Sequence, residues 1–161
     1  MNKINSILYV CSGNVFRSVF AEGYTKQLLV NNGIDSIKVS SCGIIAQESF
    51  KLPRSIRNLF ELYKITAKNL DTHKPTRINH EILFTHDLIL VMDKTQISYI
   101  KENHPEFIPK TFLLKEYAGF FTKPEIFDPI GQPESVYLQT AEEIKLCVEI
   151  IVKKLIVLNI K

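Results

Sequence analysis

Cysteine is scarce in this chain, with only Cys11, Cys42 and Cys147 among 161 residues. Their spacing fits no metal-ligand pattern, and three are too few for a disulfide framework. An odd count with a free thiol suits a reducing compartment. Long hydrophobic runs are also missing. The apolar stretch 7–10 is too short for the core of a signal peptide. The apolar C-terminal stretch is interrupted by Glu149, Lys153 and Lys154, so nothing reads as membrane-spanning. Net charge is small, +3, which leaves no electrostatic footprint for a nucleic-acid partner. Internal repeats, linkers and low-complexity segments are absent as well. The expectation is one cytoplasmic domain over residues 1–161, with no metal and no cofactor. A hydrophobic content of 45% and a charged content of 23% are ordinary for a globular protein long enough to bury a core.

Charge is nevertheless unevenly spread. Residues 51–80 carry seven basic and two acidic side chains, whereas residues 81–161 carry nine and twelve. The basic set (Lys51, Arg54, Arg57, Lys64, Lys68, Lys74, Arg77) is suited to steering an acidic phosphorylated partner, though basic residues also commonly form a solvated face.

Apolar runs and helical spacings alternate along the chain. Residues 4–10 read as a buried first strand. Residues 19–32 read as a helix, with Phe20, Tyr24 and Leu28 in phase and Gly33 as its stop. A second strand is expected over 36–41 and a loop over 42–52. A helix opened by Pro53 follows, with Ile56, Leu59, Phe60 and Tyr63 on one face. The third strand is placed at 88–92, a helix at 95–103, a fourth strand at 111–114 and a long loop at 115–131. A final helix opened by Pro133 carries Tyr137, Ile144, Val148, Ile151 and Leu155. This alternation predicts an α/β fold, a four-stranded parallel sheet with helices on both faces. Ligands in such folds sit beyond the C-terminal strand ends.

At the first of those ends stands Cys11-Ser12-Gly13-Asn14-Val15-Phe16-Arg17-Ser18. A strand, a Gly-containing turn and a helix start make an anion cradle, because turn N–H groups and the helix N-terminus converge on one spot. The same positive potential that attracts a phosphate lowers a thiol pKa. Cys11 is thus a candidate nucleophile. Arg17, six positions on, is a planar donor fork for phosphoryl oxygens. Ser12, Gly13, Asn14, Val15, Phe16 and Ser18 supply the remaining cradle. Asn tolerates the left-handed backbone that such a turn needs. A thiolate attacking phosphorus splits a difficult hydrolysis into two steps. The leaving oxygen then requires an acid. Asp128, followed by Pro129 in the late loop, is the candidate, although an Asp-Pro pair is also an ordinary turn.

The run 10–18, followed by Ala21-Glu22, resembles the signature of the low-molecular-weight protein tyrosine phosphatases, whose fold bacterial protein arginine phosphatases and arsenate reductases share. The resemblance implies hydrolysis of phosphomonoesters through a phosphocysteine, with Asp128 as general acid just before the last helix. It also implies support of the loop by His73, while Ser41, ending the second strand, is placed to bond Asn14, and Asp93 to orient His73. The expected partner is a phosphorylated protein or a small aryl phosphate. Three departures stand out. Phe16 occupies the place of a second cysteine, which removes a protective disulfide. Val19 replaces a proline. Ile130-Gly131 follow Asp128-Pro129 where paired tyrosines are common. Val15 resembles the tyrosine-specific branch, since the arginine phosphatases usually carry threonine there. The segments 113–117 and 128–131 look more like the arginine phosphatases. Arsenate reductases need further cysteines in a region where this chain has none. The leading expectation is a protein-tyrosine phosphatase, with a protein arginine phosphatase or a non-catalytic phosphoprotein-binding domain as alternatives.

Overall fold

A computed structural model describes residues 3–66 and 72–159. The elements run β1 (Ser6–Cys11), α1 (Arg17–Asn31), β2 (Lys38–Gly43), α2 (Arg54–Leu62), α3 (His80–Phe84), β3 (Leu88–Val91), α4 (Lys94–Asn103), a 3-10 helix (Pro105–Lys110), β4 (Thr111–Leu113), α5 (Leu114–Ala118) and α6 (Glu134–Asn159). The four strands form one parallel sheet in the order β2-β1-β3-β4. All six residues of β1 are buried, as a central parallel strand covered on both faces must be.

Side chains of a strand alternate between faces, and the core divides accordingly. Ile7, Tyr9 and Cys11 join Leu90 and Met92 under α1, α2 and α6. Leu8 and Val10 join Cys42, Ile89 and Val91 beneath Leu83, Ile100 and Phe107 on the opposite face. Chain order reverses between β1 and β3, so the crevice beyond their C-terminal ends is the expected ligand position.

The expected elements are present, with shifted bounds. Helix α1 starts two residues earlier than position 19, since the Phe16 carbonyl already accepts the Phe20 N–H at 2.7 Å. Strand β2 lies two residues later than 36–41. There Cys42 enters the second core face, and the Gly43 N–H bonds the Thr76 carbonyl at 2.9 Å. Strand β3 stops at Val91, one residue short of expectation, though Met92 stays buried. The largest departure lies in 115–131, expected to be one loop. Residues 114–118 instead form α5, closed by Gly119 in the left-handed region at φ 106, a common helix stop. Leu114 therefore belongs to that helix and not to β4. Helix α3 was not expected from the sequence. Asn79 caps it by accepting the Ile82 N–H at 2.9 Å. Lys68, one of the basic set, lies outside the described residues. Among the described residues no helix is long and apolar enough to cross a membrane.

Candidate active site

The loop between β1 and α1 begins with Cys11 at the strand end. The residue is 3% exposed, and its sulfur faces the loop. The Asn14 backbone N–H donates to Sγ at 3.2 Å, and the Ser18 hydroxyl lies 3.0 Å away. Asn14 makes this turn with φ 55, a conformation that asparagine adopts more readily than most residues. No side chain caps α1 and its first turn holds no acid. The N–H groups that any helix leaves unpaired at its start therefore remain for an anion.

Asn14, fully buried, ties the loop to three other segments. Its Nδ2 donates to Ser18 Oγ and to Ser41 Oγ, both at 2.9 Å. Its Oδ1 accepts the Thr76 N–H at 2.9 Å. Its carbonyl is 2.8 Å from His73 Nε2, so that ring nitrogen must carry the hydrogen. Ser41 in turn donates to Glu22 at 2.6 Å. These bonds share one direction. Ser18 Oγ accepts from Asn14, so its single O–H is free to donate to Cys11 Sγ.

Gly43 abuts the loop from below. A Cβ there would come within 2.5 Å of the Ser12 carbonyl oxygen and 2.8 Å of the Asn14 nitrogen. Only glycine lets the extension of β2 approach so closely. The approach allows Ile44 and Ile45 N–H groups to bond the Cys11 and Ser12 carbonyls at 3.1 and 3.0 Å.

Arg17, 2% exposed, is held by four acceptors, the longest contact being Nη2 to Ser12 Oγ at 3.5 Å. Nη1 donates to Asp93 at 2.7 Å and to the Ile126 carbonyl at 2.8 Å, while Nη2 donates to Asp128 at 2.9 Å. A buried guanidinium requires such partners. Burial alone would raise the Asp93 carboxyl, but the Arg17 contact, with bonds from Gln96 and Thr95, holds it below the usual carboxylate value. The segment carrying Asp128 is pinned through Ile126, whose N–H bonds the Met92 carbonyl at 2.7 Å. Glu125 adds a bond from the Lys94 N–H at 2.8 Å. Thus the late stretch is fastened to the end of β3 two residues before the candidate acid. Asp128 Oδ1 also accepts the Ile130 N–H at 3.2 Å.

A cleft of about 540 Å³ opens above the loop, lined by Ser12, Gly13 and Asp128 and walled by Phe50, Ile130 and Tyr137. The lining is mostly apolar. A thiol under loop amides, beside an anchored guanidinium and a carboxyl, can hold a tetrahedral oxyanion against sulfur.

The expected residues largely converge. Cys11, Ser12, Gly13, Asn14, Arg17, Ser18 and Asp128 meet in one place, with Ser41 and His73 behind the loop. One role differs from expectation. Asp93 does not orient His73. It pairs with Arg17 and caps α4, accepting the Thr95 N–H at 2.8 Å, because its position at the end of β3 faces the guanidinium. The Phe16 side chain sits in an aromatic cluster with Tyr137 and Phe60, at centroid distances of 4.9 and 5.9 Å. Its side chain therefore anchors the loop to α2 and α6 and leaves only the backbone for an anion. Residues 70 and 71, in the motif around His73, lie outside the described residues.

Several contributors were not singled out from sequence. Gln96, fully buried, donates to Ser12 Oγ at 3.1 Å and accepts the Asp93 N–H at 2.7 Å. The capping-box spacing Asp93-x-x-Gln96 is a signal that could have found it. Gly43, Thr76 and Ile126 act through backbone contacts and give no such signal. Among the described residues no group of His, Cys, Asp or Glu could hold a metal ion.

Comparison with known proteins agrees with this geometry. The model of the family described as low molecular weight phosphotyrosine protein phosphatase matches residues 6–156. A protein-arginine-phosphatase of Bacillus subtilis (strain 168) is 30% identical over 150 residues, which span 92% of this chain and 95% of that protein. The low molecular weight protein-tyrosine-phosphatase Ptp of Acinetobacter johnsonii is 29% identical over 146 residues, 91% of this chain and 94% of that one. In structure, the YwlE arginine phosphatase from Geobacillus stearothermophilus superposes with a TM-score of 0.84 at 26% identity, over 97% of this chain and 96% of that one.

Proposed function

Because this chain belongs to the low molecular weight phosphotyrosine protein phosphatase family, we propose that it is a protein-tyrosine phosphatase working through a phosphocysteine at Cys11. The observation that carries the reading is that one loop holds Cys11 Sγ against its Asn14 N–H and places Arg17 on Asp128, which lines the apolar cleft above that loop.

The steps follow from the contacts. The phosphoryl group of a phosphorylated protein enters over the loop, and its equatorial oxygens take N–H groups from Ser12 to Arg17 and the guanidinium of Arg17. Those oxygens compete with Asp128 for Nη2, which turns the carboxyl toward the leaving group. Cys11 Sγ, as thiolate, forms a bond to phosphorus while the bond to the leaving oxygen breaks, and protonated Asp128 gives that oxygen its proton. Asp128, now a carboxylate, takes a proton from water as the water oxygen attacks phosphorus. The sulfur–phosphorus bond breaks, releasing inorganic phosphate and restoring the thiolate. Ser18, donating to sulfur at 3.0 Å, stabilises the thiolate as leaving group in this second step.

The apolar walls of the cleft favour an aromatic leaving group, and Phe50 supplies a ring where paired tyrosines are missing after Asp128-Pro129. A second reading, phosphoarginine as substrate, is favoured by the named activity of the Bacillus and Geobacillus relatives. Parallel turnover of one peptide sequence bearing phosphotyrosine or phosphoarginine separates the two. Faster hydrolysis of phosphotyrosine supports the first reading, and faster hydrolysis of phosphoarginine replaces it with the second.

A further inference from the structure

A second pocket, of about 300 Å³, adjoins the catalytic cleft and shares with it the side chains of Val15, Phe50, Lys51 and Leu52. Its lining differs in character. Lys51, Arg57 and Lys74 border it together with His73, and among the described residues Glu48 is the only carboxylate in the lining. Three of the seven basic residues in 51–80 thus come together at one concavity, from α2 and from the loops that carry Lys51 and Lys74. An excess of cations around a concave, partly apolar pocket focuses field and suits an anion better than a flat basic face does.

We infer that this pocket receives a second anionic group of the substrate polypeptide, a carboxylate or a further phosphoryl, close in sequence to the phosphorylated residue. The inference rests on the phosphatase reading and adds the substrate class to it: acidic or multiply phosphorylated segments. Val15 and Phe50 line both cavities as a shared wall. Residues i and i+2 of an extended peptide project on the same side about 7 Å apart, so a peptide crossing that wall can occupy both cavities. Val15 belongs to the phosphate loop itself, which sets the second anion beside the first. Two negative groups so close repel each other in the free peptide, and the cations relieve that repulsion only on the enzyme. The pocket therefore selects sequence context, while the loop selects the phosphoryl group.

The test uses three phosphotyrosine peptides that differ only two residues from the phosphotyrosine, where they carry glutamine, glutamate or phosphoserine. Each is titrated calorimetrically onto Cys11→Ser protein, with and without Arg57→Gln and Lys74→Gln, singly and combined. Thermal melts of every variant check that it is folded. The expected result is about fivefold to tenfold tighter binding of the glutamate peptide than the glutamine peptide, and more for phosphoserine. In the combined variant that ordering should shrink to within about twofold, and rising salt should erode it in the parent protein. The phosphoserine and glutamate arms distinguish a phosphoryl from a carboxylate occupant. Equal affinities, no measurable binding of any peptide, or an ordering that survives in the folded combined variant overturns the pocket. Failure of the wild-type protein to hydrolyse p-nitrophenyl phosphate is the separate result that overturns the phosphatase reading.

Discussion

Arg17 Nη2 and Asp128 Oδ2 lie 2.9 Å apart although 111 positions separate them in the chain. The guanidinium is buried and the carboxylate remains 36% exposed, so the pair joins the floor of the site to its mouth. One cation serves two purposes, holding the acid in the resting site and binding phosphoryl oxygens when substrate arrives.

If Asp128 protonates the leaving oxygen, its removal should hurt most where that oxygen is most basic. Asp128→Ala should lower kcat/KM, which reports the step that expels the leaving group, by about a hundredfold to a thousandfold for phenyl phosphate and by much less for p-nitrophenyl phosphate. Steady-state kinetics over a leaving-group series measures this. Equal losses across the series would remove Asp128 from the acid's role.

Asn14 gives a prediction about stability and activity together. Asn14→Ala deletes side-chain bonds to Ser18, Ser41 and Thr76 and leaves alanine at φ 55. The cost should be about 2–3 kcal/mol of stability, read from denaturant unfolding, with a fall in kcat. Ser41→Ala removes one of the contacts to Asn14 together with the bond to Glu22, keeps Asn14 and its turn, and should cost about 1 kcal/mol. Equal effects of the two would mean that the network does not pass through Asn14.

Gly43 is more demanding than its distance from sulfur suggests. In Gly43→Ala the new Cβ would press on the backbone at Ser12 and Asn14, which cannot rotate away as a flexible side chain would. The loop must shift, and a misplacement of about 1 Å can cost on the order of a hundredfold in rate. Phosphatase assay beside thermal melting should show activity falling further than stability. Wild-type kcat in this variant would contradict the close approach.

Acid should weaken the fold through His86. Burial holds its imidazole below the ordinary value, with a smaller opposing influence from the Ile82 carbonyl. Its Nδ1 donates to that carbonyl at 2.7 Å, and Nε2 is buried without a partner among the described residues. The unfolded chain takes up a proton near pH 6.5, whereas the folded chain resists it. Stability from this group is therefore complete above about pH 6.5 and declines as pH falls toward the depressed native value. Asp93, also depressed, keeps its contribution until much lower pH, below about 4. His86→Asn, which retains a donor for Ile82, should flatten Tm between pH 7 and pH 5. An unchanged slope would assign the sensitivity elsewhere.

Strands β1 and β3 were legible as fully buried runs, and α2 because Ile56, Leu59 and Phe60 recur at helical spacing. The 11–18 loop was legible because its chemistry is local in sequence. Other features depend on distant backbone. Asp93 follows a strand end and reads equally as a helix cap, an ion-pair partner or a support for His73, and only the position of Arg17 decides among these. Phe16 looked like a departure from the loop's chemistry because its partners, Phe60 and Tyr137, are remote in sequence. Gly43 and Ile126 contribute carbonyls, N–H groups or the lack of a Cβ, which residue identity does not advertise. The bounds of β2 moved because Gly43 completes the sheet and also braces the loop.

The most direct measurement is to quench the reaction of p-nitrophenyl phosphate with Asp128→Ala protein in acid within its first turnover and map phosphate by peptide mass spectrometry. That variant lacks the base for the second step, so the covalent intermediate should accumulate. One phosphoryl group on the peptide containing Cys11, absent in Cys11→Ser, is the predicted result. Turnover by the wild-type protein with no covalent phosphate, or with phosphate on another residue, would contradict a phosphocysteine at Cys11.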